Sequence, residues 1–127
     1  MRDEPLASHW GPRAAFHALA WIFMAGIIAQ VYIAGLAVFA DPSRWAWHRG
    51  LAVWVAAVPL LMLPLAFVAR LPARTRWLTV LAFALLNVQG ATARIGGLAG
   101  AVHPVTALLL FWTALALLRP TPGVIGE

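Results

Sequence analysis

From Gly50 to Ala69, twenty consecutive residues carry no charge. Crossing the hydrocarbon core of a bilayer as a helix takes about 20 mostly apolar residues, so this run alone directs the chain toward a membrane. Three further apolar stretches of similar length leave little of the 127 residues unassigned. Charged residues make up 10% of the chain, against about a quarter in a soluble domain. The sequence therefore predicts an all-α membrane protein: an up-down bundle of four transmembrane helices, forming a single domain over residues 1–127.

Breaks in the apolar pattern set the boundaries. Residues 1–13 form a short polar tail. Helix one is predicted from Ala14 to Ala40. This run is much longer than the roughly 7–15 residues of a signal-peptide core, so it reads as a retained span. Asp41-Pro42-Ser43 ends it, because proline has no amide donor and disfavours helix at the residue before it. Helix two runs from Trp45 or Trp47 to Ala69, with Pro59 and Pro64 inside it and a bend expected there. Arg70 to Arg76 reads as a tight basic loop. Helix three covers Trp77 to Ile95 and stops at Gly96-Gly97, and helix four covers Val102 to Leu118. Arg119-Pro120 opens a second short tail, residues 119–127.

All nine basic residues are arginine, and they stand at the ends of apolar runs rather than along one amphipathic face. That placement fits snorkelling anchors and topology signals and excludes a nucleic-acid surface. Arg2, Arg13, Arg70, Arg74, Arg76 and Arg119 fall on one side of the predicted bundle; Arg44, Arg49 and Arg94 fall on the other. Six against three places both termini in the cytoplasm. Trp45, Trp47 and Trp77 fall where an interfacial aromatic belt is expected. The chain has no cysteine, which removes disulfides, thiolate metal sites and dithiol redox chemistry.

Polar residues inside a span are costly and are candidates for function. On helix one, Gln30 lies between Gly26 and Ala34 on a face suited to close helix packing. On helix three, Asn87 and Gln89 are expected to hydrogen-bond to other helices. Their offset of about 200° keeps them from sharing one pocket. Arg94 lies near the outer end of that helix. His17 is expected at the cytoplasmic end of helix one, snorkelling or bonding a neighbour, and His9 in the tail carries no assigned role.

His48 and His103 stand out. Each lies in the first turn of its helix, and helices two and four enter from the same side. The imidazoles should therefore share one depth, on diagonal helices whose side chains converge on the bundle core. Imidazole is a common haem and metal ligand. The pair predicts a b-type haem with His48 and His103 as axial ligands to the iron. Ala52, Ala56, Thr106 and Ala107 would leave room beside them, and Arg49 and Arg94 would pair with the propionates. The simpler reading of either histidine alone is an interfacial hydrogen-bond donor.

His48-Arg49 opening helix two, Gln89-Gly90 and Gly96-Gly97 about helix three, and His103 opening helix four together resemble one half of a heme A synthase. That resemblance, over about residues 45–118, implies paired histidine ligands on alternate helices. The chain departs from it at Trp45, where heme A synthases carry a glutamate. No acid falls within any span, so the oxygenation chemistry of those enzymes is not expected, nor is a proton-coupled exporter. The pattern Gln30-x-x-x-Ala34-Gly35-x-x-x-Phe39, His48-x-Gly50, His103-Pro104 also resembles small, uncharacterised bacterial membrane proteins, over most of the chain. The resulting expectation is a haem-binding protein of the bacterial inner membrane. It would serve electron transfer, or act as an accessory subunit of a membrane redox complex, with the lipid bilayer around it and a quinone or complex subunits as partners. The alternatives are a cofactor-free structural subunit and a small-solute carrier.

Overall fold

The computed structural model describes residues 11–120. Helix α1 spans Pro12–Phe39, a 3-10 turn covers Pro42–Arg44, and α2 spans Trp45–Val68. Helix α3 spans Ala73–Ile95, a single turn α4 covers Gly97–Gly100, and α5 spans Val102–Leu118. With the short turns joined to the helices they precede, four segments of 28, 27, 23 and 22 residues are long and apolar enough to cross a membrane. The molecule is thus an all-α, four-helix membrane bundle.

Local chemistry explains the boundaries. Pro12 starts α1 and Pro104 lies in the first turn of α5, where an amide would have no helical partner in any case. Helix α2 continues unbroken through Pro59 and Pro64. Helix α3 begins at Ala73, four residues before the predicted start, with Pro72 as its N-cap. Arg74 and Arg76 therefore belong to the helix and not to the loop. Arginine is a good helix former, and the apolar pattern used to place the boundary does not register it. The connection shrinks to Ala69–Pro72, with Arg70 at φ 50. The amides of Arg70 and Leu71 return to the carbonyls of Phe67 and Ala66, closing α2 in the manner of a Schellman turn.

At the α1–α2 turn, Asp41 accepts from the Ser43 amide at 2.9 Å and the Ser43 hydroxyl at 2.7 Å. Arg44 approaches the same carboxylate at 3.3 Å. The two Ser43 bonds, with Arg44 adding to them, hold the Asp41 carboxyl below its ordinary range. Because the folded value is the lower one, this cap is in place at neutral pH and is lost as the pH falls through that depressed value.

Helix α1 packs on α2 and α3 on α5, while α2–α3 and α1–α5 contacts close the ring. The remaining pairs, α1 with α3 and α2 with α5, are diagonal, and their backbones do not approach one another. The apolar core occupies the arginine-rich end and the middle of the bundle, centred on Phe16, Phe23, Met62, Ala66 and Ala82, all fully buried. The outer surface is as apolar as the interior, as lipid contact allows. Trp47 and Trp77, at opposite ends, are 59% and 71% exposed, as an interfacial belt requires. Buried Thr79, Thr92 and Thr113 each donate to the carbonyl four residues back, on their own helix, which hides a hydroxyl from lipid without another helix.

Among the described glycines, Gly26 is the one packed hard against another helix. A β-carbon there would lie 2.8 Å from a Val55 methyl of α2, so the absent side chain sets the α1–α2 approach. Valine is stiff at χ1 and has little scope to turn aside. Gly26→Ala is expected to destabilise the bundle by about 1–2 kcal/mol, and Val55→Ala in the same chain should recover much of that loss. Thermal unfolding of the two variants in detergent measures both effects.

Candidate functional site

The end of the bundle opposite the apolar core is built from small and polar residues. Hydrogen bonds of the His48, His103, Gln89 and Thr106 side chains define it. Nδ1 of His48, on α2, lies 3.1 Å from the main-chain carbonyl of Gln30 on α1. Nδ1 of His103, on α5, lies 3.1 Å from the main-chain carbonyl of Gln89 on α3. A carbonyl only accepts, so each ring donates from Nδ1, and in the neutral tautomer that does so Nε2 carries the lone pair. The Gln89 side-chain oxygen accepts from the Thr106 hydroxyl across the α3–α5 contact, and that hydroxyl also reaches the His103 carbonyl at 3.0 Å.

The two hairpins thus repeat one device: a glutamine on the first helix fixes a histidine at the start of the second. The imidazoles face each other across the diagonal, with ring centroids 6.4 Å apart and planes tilted by 60°. Both residues are half-buried. Trp45 packs edge-on against His48, with ring centroids 5.4 Å apart, and forms an aromatic wall beside it.

The hairpins differ in one respect. Three residues beyond His103 stands Thr106; three beyond His48 stands Leu51. Gln89 therefore has a hydroxyl partner, whereas the Oε1 atom of Gln30 is buried with no hydrogen-bond partner.

Among the residues predicted to line the site, Ala52 and Ala107 are half-buried and Thr106 is buried. Ala56 is different: it is exposed and lines a groove between α2 and α3. It lies two helical turns from His48, and the accumulated rotation of about 80° carries it off the inner face. Asn87 lines that same groove and donates to the Phe83 carbonyl of its own helix at 2.8 Å. The expected interhelical bond forms at Gln89 and not at Asn87. Arg49 and Arg94 lie at the histidine end and are exposed, with no hydrogen bond or ion pair among the described residues. His17 lies at the far end of α1, beside Phe16. His9 falls outside the described residues. Neither the α2–α3 groove nor a second groove between α1 and α5 reaches the histidine pair.

Residue types alone did not reveal the roles of Gln30 and Gln89, because the atoms that hold the imidazoles are main-chain carbonyls. The available signal was the repeated order of glutamine, turn and histidine in each half.

These features define a multi-pass membrane protein with a paired-histidine cluster at one end. A family model, described as a family of unknown function, DUF6220, matches residues 30–95, and the chain belongs to that family. The matched stretch contains Gln30, His48 and Gln89 and ends before His103. No curated protein and no solved structure matches the chain.

Thr106→Val removes the donor and leaves the Gln89 carboxamide oxygen unpaired between α3 and α5. A loss of about 1–3 kcal/mol is expected, whereas Thr106→Ser should retain most of the stability. Thermal unfolding of both variants in detergent measures the difference.

Proposed function

We propose that the protein is a small b-type haem-binding protein of the bacterial inner membrane, with His48 and His103 as axial ligands. It would serve electron transfer, or act as an accessory subunit of a membrane redox complex, with a quinone or complex subunits as partners. The observation that carries this reading is the matched pair of imidazoles, each held through Nδ1 by a backbone carbonyl, which leaves Nε2 as the nitrogen a neutral ring would offer to a metal. Metal-bound histidines commonly direct their other ring nitrogen to such an acceptor, which fixes tautomer and ring orientation.

The spacing supports the same reading. A metal–nitrogen bond of about 2 Å, plus about 1 Å from nitrogen to ring centre, would put the centres of two imidazoles held on one ion up to about 6 Å apart. The observed separation is 6.4 Å. Two protein ligands are too few for a structural zinc site, which takes four, whereas an iron held in a macrocycle needs only axial donors. Ala52, Ala107 and Thr106 keep bulk away from the interval. Arg49 and Arg94, at the same end, supply guanidinium groups for carboxylates near the membrane surface. When bound, such a group supplies one-electron chemistry. With Trp45 in place of the glutamate, the resemblance to heme A synthases supports haem binding and not oxygenation.

A cofactor-free structural subunit is the second reading. The observation favouring it is that the histidine–carbonyl and Thr106–Gln89 bonds already tie each hairpin together without a ligand. The small-solute carrier gains no support, because Asn87 and Gln89 face different sides of α3.

Protein purified from haem-replete cells should show the sharp visible bands of low-spin bis-histidine haem on reduction. His48→Ala or His103→Ala should abolish them, and His17→Ala should leave them intact. A colourless, folded preparation would select the structural reading.

We further propose that both termini are cytoplasmic, on the strength of the arginine distribution. Because the native chain has no cysteine, Ala40→Cys should react with an impermeant maleimide on intact cells. Ala73→Cys should react only after the membrane is opened. The reverse pattern overturns the orientation.

A further inference from the structure

At the end opposite the histidines, α1 and α5 leave an open apolar groove on the outside of the bundle. Trp21 and Ile28 line it from α1, Phe111 and Leu115 from α5, and Arg119 stands at its mouth. At 100° per residue, Arg13, His17, Trp21 and Ile28 fall within a stripe about 80° wide along α1, and all four are exposed. The α1 wall therefore runs down into a guanidinium and an imidazole. On the other wall, Leu115 of α5 and Arg119, the C-cap residue of that helix, both line the groove. Arg119 thus stands at the mouth of the groove, and Arg13 and His17 continue its α1 wall at the same end of the bundle.

Length and charge indicate what fits there. From Arg13 to Ile28 the helix rises about 22 Å, close to the depth of a headgroup layer plus one leaflet of hydrocarbon. Among the described residues this end carries Arg13, Arg70, Arg74, Arg76 and Arg119 and no carboxylate; the described acid, Asp41, lies at the other end. Arg74 donates to the Ala116 carbonyl at 3.3 Å and Arg76 stacks over Phe67 at 5.4 Å. Arg13 and Arg119 make no such contact among the described residues.

We propose that the α1–α5 groove is a binding site for one anionic phospholipid, independent of the histidine pair. The acyl chain lies along Trp21, Ile28, Phe111 and Leu115, and the phosphodiester is held by Arg119 and Arg13, with His17 beside them. Arginine suits this task, since its planar fork meets phosphate oxygens with paired hydrogen bonds.

The test is native mass spectrometry of the full chain, released from mixed micelles of phosphatidylglycerol and phosphatidylcholine with matched acyl chains. One phosphatidylglycerol should be retained per chain, with at least a five-fold preference over phosphatidylcholine. Arg13→Gln with Arg119→Gln should abolish that preference, while Arg70→Gln, at the α2–α3 corner, should leave it in place. In parallel, phosphatidylglycerol brominated in its acyl chains should quench the tryptophan emission of the native chain more than that of Trp21→Phe. Equal retention of the two lipids would overturn the proposal. So would loss of the preference in Arg70→Gln to the same degree as in the double variant, which would mark a general surface-charge effect. Quenching unchanged by Trp21→Phe would place the lipid elsewhere and also overturn it.

Discussion

Lipid offers no hydrogen bonds, and most of this structure follows from that constraint. Polar atoms at membrane depth can find partners only within the bundle, and among the described residues the buried Oε1 of Gln30 is the exception. Threonines meet the constraint within their own helices, and Asn87 does the same through the Phe83 carbonyl. The histidines meet it across helices, each on the carbonyl of a glutamine residue. A backbone carbonyl has two lone pairs, and a helix uses only one of them. The second is therefore available to a neighbouring helix at no cost to the first. This spare capacity joins α1 to α2 and α3 to α5 at the end where few large apolar side chains are present to do so.

The molecule consequently has two unlike ends. At one, Phe16, Phe23 and Met62 fill the space between helices, and cohesion comes from packed volume. At the other, cohesion comes from a few directed bonds among small residues. The first arrangement resists opening. The second brings two imidazoles together across the α2–α5 diagonal.

The sequence made the scaffold legible and the site only partly so. Four apolar runs, with the arginines between them, were enough to fix the helix count. The even number of spans put His48 and His103 at one end on diagonal helices. Boundaries were harder to place: α3 starts at Ala73 because Pro72 caps it, and hydropathy alone does not register a helix that begins among arginines. Ala56 was expected inside and lies outside, since two turns of a straight helix rotate a stripe by most of a right angle. Gln30 and Gln89 were visible as polar residues, but their part in orienting the imidazoles is played by main-chain atoms. Those atoms are the same in every residue and carry no signal of their own. The buried, unpaired Oε1 of Gln30 could not be read from sequence either, because it depends on Leu51 standing where the other hairpin has Thr106.

Anchoring the rings on backbone changes which alterations the site can absorb. The side chain of residue 30 can vary without moving the acceptor, because the acceptor belongs to the helix. A one-residue insertion in α1 between Gly26 and Gln30 has the opposite effect. It shifts that carbonyl by about 1.5 Å along the axis and turns it through about 100°, away from His48. The geometry of the imidazole pair is thus encoded in helix register. It tolerates drift in composition and is sensitive to changes in length, so over evolutionary time the lengths of α1 and α3 beyond their packed cores should be held more tightly than the identities of the residues there.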